Sequence, residues 1–178
     1  MEDDHWPLKI LATTDLHMSI CGFDYIAEKP QANLGLMSLE KIIKEQREIA
    51  PSILLDNGDS LQSSPQGDFI ATQFKINGVA NNPMIEAMNL LQYDAASVGN
   101  HEFDYGTEFL KKRMEQSNFD WICANVDMAN SGVPEPFEYT TITKENISPA
   151  EICLSASKIE PLQITATIAP KRPKIINA

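Results

Sequence analysis

The 178 residues include 43% hydrophobic side chains, enough to bury the core of one domain and too many for a disordered polymer. A formal net charge of −11 and a sequence pI near 4.6 exclude direct electrostatic attraction to a nucleic-acid backbone or an anionic membrane, so an anionic substrate needs cations as intermediaries. No stretch approaches the roughly 20 apolar residues of a bilayer span, and Cys21, Cys123 and Cys153, odd in number and without CxxC spacing, read as free thiols.

Residues 1–7, MEDDHWP, form an acidic leader where an export signal would be basic and then apolar, so no signal peptide is expected and His5 reads as a solvated terminal residue. LKILAT (8–13) is a short apolar run that ends abruptly in the polar TDLHMS, the pattern of a buried strand discharging into a loop. GLMSLEKIIKEQREIA follows as a crossover helix, with Leu36, Leu39, Ile43 and Ile49 near one face and Lys41, Lys44, Glu45 and Glu48 on the other. Pro51 stops it, and SILLDNGDS repeats the first design, Ile53 to Leu55 running into an acidic loop.

GDFIATQFKI predicts a shorter helix, and NNPMIEAMNLLQY another, with Asn82 as N-cap, Pro83 at the first helical position and Ile85, Met88 and Leu91 inward. AASVGNHEFDYG is a third strand and its loop, TEFLKKRMEQSN a helix capped by Thr107, and DWICANV a fourth strand. Repeated strand, loop and helix units imply an α/β fold with a mostly parallel sheet, whose ligand site lies beyond the carboxyl ends of the strands. All three acidic loops fall there.

After Thr143 the composition changes. The last 35 residues contain Pro149, Pro161, Pro170 and Pro173, no glycine, and five basic against three acidic side chains. LQITATIA predicts one isolated strand, and 144–178 is otherwise expected to be an irregular tail, disordered or out of frame.

Each strand end presents metal-ligating side chains. Asp15 and His17 have one residue between them, so in extended chain both leave on the same side. Asp59, after Gly58, offers a carboxylate able to bridge two cations, while Asn100 adds an amide oxygen and His101 an imidazole. Glu102 reads as a structural hydrogen-bonding group within its loop, Asp56 and Asn57 as turn residues supporting Asp59, and Phe103 and Tyr105 as loop-packing aromatics.

The ordered set DLH, GD and GNHE resembles the N-terminal part of a calcineurin-like metallophosphoesterase, and ILATTDLHMSICGFDYIAEKP, LLDNGDSLQSSPQGDFIA and SVGNHEFDYGTEFLKK resemble the bacterial 5'-nucleotidase and 2',3'-cyclic-nucleotide 2'-phosphodiesterase/3'-nucleotidase group. The likeness spans residues 8–143. It implies an incomplete α/β/β/α sandwich, of which this chain reaches the first sheet and leaves an apolar sheet face uncovered. It also implies two divalent cations about 3.5–4 Å apart that activate water for in-line displacement at a nucleotide phosphate ester. By this resemblance Asp15 and His17 bind the first ion, Asp59 bridges both and Asn100 binds the second. His101 stabilises the phosphoryl group or protonates the leaving alkoxide, with Asp104 orienting its ring. Manganese, zinc, iron, cobalt and calcium all suit these ligands. An asparagine often replaces Asp104 in the cyclic-phosphodiesterase branch, and 5'-nucleotidases more often carry the aspartate, so the subgroup stays open.

The resemblance also implies later histidines, yet none follows His101. The expectation is a truncated or frameshifted product: an active phosphoesterase, an inactive metal-binding fragment, or a half-enzyme needing a complementary polypeptide that carries the missing part. The expected partner is otherwise a small-molecule nucleotide, with no nucleic acid and no membrane. Related enzymes are commonly periplasmic or secreted.

Overall fold

A computed structural model describes residues 7–25, 27–78, 81–137, 139–143, 150–155 and 163–168. The expected alternation is present. Strand β1 (Lys9–Thr13) is followed by a two-residue hairpin, β2 (Phe23–Asp24) with β3 (Lys29–Pro30), and then by a 3-10 turn, Leu36–Leu39, leading into α1 (Glu40–Ile49). Then come β4 (Ser52–Asp56), α2 (Pro65–Asn77), α3 (Pro83–Leu90), β5 (Ala95–Ser97), α4 (Thr107–Gln116) and β6 (Asp120–Ile122).

The four strands β1, β4, β5 and β6 lie in that order in one sheet, every pair parallel, with Leu11 beside Leu54, Leu55 beside Ala95 and Ala96 beside Trp121. Central β4 is buried along its whole length, which explains its unbroken apolar run. Successive side chains of a strand point to opposite faces. Leu54 joins Ile43, Ala71, Met84, Met88, Phe109 and Leu110, so all four helices contribute to one core. Ile53 and Leu55 join Ala95, Ile122 and Ile142 on the other face.

That second face corrects an expectation. Ile53, Leu55, Ala95 and Ile122 are at most 2% exposed and form a cluster with buried Ile142 of β7 (Tyr139–Thr143), against which Leu8 also packs. Of the described strands of this sheet, β1 stays partly open, with Ile10 at 45% exposure. Strand β7 begins an antiparallel meander with β8 (Ala150–Ser155) and β9 (Gln163–Ile168). The strand expected at LQITATIA is therefore paired rather than isolated, and β8 joins it. The rest of 144–178 and the leader 1–6, His5 included, lie outside the described residues.

Two local expectations also change. Ile49 is 66% exposed. It lies six residues after buried Ile43, about 240° further round the axis, and the 3-10 turn before α1 shifts the phase of Leu36 and Leu39 relative to the helix. Thr107 is the first helical residue and makes no capping bond. Gly106 precedes it at φ 90°, a conformation open to glycine at no steric cost, so the loop enters the helix there. No helix among the described residues is long and apolar enough to cross a bilayer.

Helix α3 starts as the sequence indicates. The Asn82 side-chain oxygen accepts hydrogen bonds from the Met84 and Ile85 amides at 2.9 and 3.2 Å, and Pro83 occupies the first turn. Asn82→Ala is expected to lower unfolding free energy by about 1 kcal/mol in urea titrations. Leu90→Ala on the same helix, at 81% exposure, is expected to change it by less than about 0.5 kcal/mol.

Candidate metal and phosphate site

Parallel pairing brings the carboxyl ends of β1, β4 and β5 to one edge of the sheet, where three loops emerge. The first two run side by side beyond the strands. Asn57 N–H donates to Thr13 O, Asp15 N–H to Gly58 O, His17 N–H to Asp59 O and Met18 N–H to Ser60 O, at 2.8 to 3.0 Å. Along these bonds the backbone is in the left-handed region at Asp15 (φ 54°), His17 (φ 45°), Met18 (φ 57°) and Asp59 (φ 60°). Aspartate and histidine enter it more readily than most residues, yet non-glycine residues hold it only where the surroundings over-determine them. Asp15 and His17 thus converge through turns, not through the alternation of an extended chain.

The result is a compact donor set. One ligand atom from each of Asp15, His17 and Asp59 lies within 4.8 Å of the others. His17 Nε2 is 3.6 Å from Asp15 Oδ1, and His17 Nδ1 is 2.8 Å from the Gln62 carbonyl oxygen. A carbonyl only accepts, so Nδ1 carries a hydrogen and Nε2 is the ring atom turned toward the Asp15 carboxylate. Two carboxylates and an imidazole presented in this way suit a divalent cation.

The third loop closes the site. After β5 a 3-10 turn, Asn100–Phe103, places the His101 ring 5.3 Å from that of His17, edge to face. The His101 amide donates to Asp59 Oδ1 at 2.9 Å, and its Nδ1 lies 2.7 Å from Asp104 Oδ2. That hydrogen bond is the main reason the imidazole is held above its ordinary range, with the charges of Asp59 and Glu102 adding to it. Asn100 is exposed and opens the turn, one residue before His101. Gly99 is required by contact: a Cβ there would stand 2.3 Å from Asp59 Oδ1 and 2.8 Å from Glu102 Oε2. Glu102 is 1% exposed, and its carboxylate accepts from backbone amides of both the second and third loops.

A second buried carboxylate lies below. Asp56, at the end of β4, accepts from the Gly58 amide at 2.9 Å and the Thr13 hydroxyl at 2.7 Å, and Thr13 Oγ1 is 2.9 Å from the Tyr93 hydroxyl. Burial pushes its pKa from 3.8 up to about 7, against the lowering effect of those hydrogen bonds and with help from the charges of Glu102 and Asp15. Asp56 thus supports the Asp59 turn through Gly58. Thr13, Tyr93 and Gln62 were not identifiable from sequence, since nothing local marks a hydroxyl or a carbonyl that acts across 43 to 80 residues.

No protein-family model matches the chain. It is 41% identical over 128 residues to the 2',3'-cyclic-nucleotide 2'-phosphodiesterase/3'-nucleotidase of Yersinia enterocolitica, covering 71% of this chain and 20% of that protein. It is 38% identical over 146 residues to the trifunctional nucleotide phosphoesterase protein YfkN of Bacillus subtilis, covering 78% of this chain and 10% of the relative. The crystal structure of calcineurin-like phosphoesterase YfkN from Bacillus subtilis superimposes with a TM-score of 0.69 at 35% identity, over 82% of this chain and 46% of that one. The chain thus spans a fifth or less of the length of these two curated relatives.

The folded-state pKa of Asp56 lies above its unfolded value, so its contribution to stability is complete below about pH 4 and is lost as pH rises through about 7. Asp56→Asn keeps an acceptor for Gly58 and donates to Thr13, whose own hydrogen can turn to the Leu55 carbonyl. Denaturation from pH 4 to 8 should show the stability difference moving toward the variant by on the order of 3 kcal/mol; a difference independent of pH would contradict this. Gly99→Ala should lower the melting temperature by several degrees, since a Cβ there meets backbone and a hydrogen-bonded carboxylate that cannot move independently.

Proposed function

The chain belongs to the calcineurin-like phosphoesterases, and from that premise we propose that it is a metal-dependent phosphoesterase acting on nucleotide phosphate esters: 5'- or 3'-nucleotides, or 2',3'-cyclic nucleotides. The observation that carries this reading is the convergence of Asp15, His17 and Asp59 from two loops beside the His101 ring of a third. In this reading Asp15 and His17 would hold one divalent ion, Asp59 would contact that ion and a second, and Asn100 would serve the second. When bound, such ions activate water and neutralise charge on phosphate oxygens.

The chain's own groups do the rest. With Nδ1 engaged by Asp104, His101 has Nε2 free to carry a proton toward a phosphoryl oxygen or a leaving alkoxide. Asp104 keeps the ring oriented and favours its protonated form. The His101 amide steadies Asp59 at the same time, so one short turn sets both the carboxylate and the acid.

A second reading has its own observation. Only His5, His17 and His101 are present in the whole chain, and among the described residues one Asp/His/Asp group is found. On that basis the chain would bind a single ion without turnover, or would gain activity with a complementary polypeptide supplying further imidazoles. Phosphate release from nucleoside monophosphates and from 2',3'-cyclic nucleotides, measured with manganese and then with chelator, separates the two. The phosphoesterase reading expects chelator-sensitive release, a loss of at least about 100-fold for Asp59→Asn, and about 100-fold or more for His101→Ala. Metal binding by calorimetry with no release under any of these conditions would instead establish the single-ion reading.

A further inference from the structure

We infer that Glu102 is a positioning residue for Asp59, holding that carboxylate in place from the neighbouring loop. The inference rests on the reading of Asp59 as a metal ligand. Local sequence makes Glu102 a partner for its own turn, and its Oε2 does accept from Gly99 N–H at 2.7 Å. The same oxygen also accepts from the Asp59 amide at 2.8 Å, 43 residues away. Oε1 accepts from Ser60 N–H at 2.7 Å, from Leu61 N–H at 3.3 Å and from the Ser60 hydroxyl at 3.3 Å.

The geometry has three consequences. First, the bonds are made to the backbone of Asp59 and its two successors, so they act on where the Asp59 Cα sits and not on its side-chain oxygens. Those oxygens remain free for His101 N–H and for an ion. Second, Asp59 is held at φ 60°, a conformation that needs external restraint, and the Asp59 and Ser60 amides restrained belong to the two peptide units flanking its Cα. Third, every partner is a donor and each is neutral. A carboxylate meets all five because it is a pure acceptor on both oxygens. An amide in its place sets its NH2 against either Asp59 and Gly99 or Ser60 and Leu61, leaving buried donors facing donors.

The test uses manganese(II) alone as probe, with its dissociation constant measured by calorimetry on the full chain. The proteins are wild type, Glu102→Gln, Asp59→Asn, the double variant, and Glu108→Gln on the exposed side of α4 as control, each checked for folding by circular dichroism. Glu102→Gln is expected to weaken manganese binding at least tenfold while the control matches wild type. It should also add less than twofold to the loss already caused by Asp59→Asn, because it acts through that side chain. A purely structural role would instead lower affinity to the same degree in both backgrounds. Unchanged binding by Glu102→Gln, or full additivity with Asp59→Asn, overturns the inference and leaves the metal site standing. Failure of wild type to bind manganese, or binding unaffected by Asp59→Asn, overturns the metal-site reading and this inference with it. If Glu102→Gln does not fold, amide exchange on wild type decides. The Asp59, Ser60 and Gly99 amides should be protected as strongly as those of β4, and exchange at the rate of an open loop overturns the inference.

Discussion

The site depends on two buried carboxylates that serve as acceptors for other loops' donors. Asp56 gathers the Thr13 hydroxyl at the end of β1 and the Gly58 amide before Asp59. Glu102 gathers the amides of the second loop and of Gly99 in the third. Each joins two neighbouring loops, and the second loop is common to both. Neither is paired with a lysine or arginine in these contacts; their partners are neutral N–H and O–H groups, fixed by the main chain or by a buried side chain. A charged partner on a flexible stem would hold position less firmly, and it would compete electrostatically with any cation at Asp15 and Asp59.

The sheet makes this arrangement possible. A central strand buried on both faces, with parallel neighbours, sends successive loops out at one edge with their order set by the strand order. The helices pack on one face and Ile142 joins the apolar cluster on the other, so the loops are mounted on central strands packed on both faces, with only β1 partly open. The left-handed backbone at Asp15, His17, Met18 and Asp59 is held at that edge, which keeps the Asp15, His17 and Asp59 side chains in a pre-set arrangement.

Much of this could be read from the residues. Apolar runs ending in acidic loops marked β1, β4 and β5, and Asn82-Pro83 marked the start of α3, because those signals are local and each has one dominant physical cause. Asp15, His17 and Asp59 stood out by residue type at strand ends. What could not be read is what depends on partners distant in the chain. The left-handed backbone at Asp15, His17, Met18 and Asp59 goes with hydrogen bonds between loops, so no glycine announces it. The reach of Glu102 to Asp59 and of Tyr93 to Thr13 has no local mark either. Ile49 was misjudged because it lies six residues, about 240°, beyond Ile43 on the same helix and so never shares the buried face, and Thr107 because the chain turned at Gly106 instead.

The ladder joining the first two loops carries a further implication for how this segment can vary. From Thr13 O to Ser60 O four hydrogen bonds tie the two loops together past the end of the sheet, with Asp15 to His17 spanning two residues against one from Gly58 to Asp59. A changed side chain leaves that count intact, whereas one inserted or deleted residue shifts every later partner and turns Asp15, His17 or Asp59 to a new direction. Variation in composition is therefore far cheaper here than variation in length, and the spacing of these loops is the trait that descent would preserve longest.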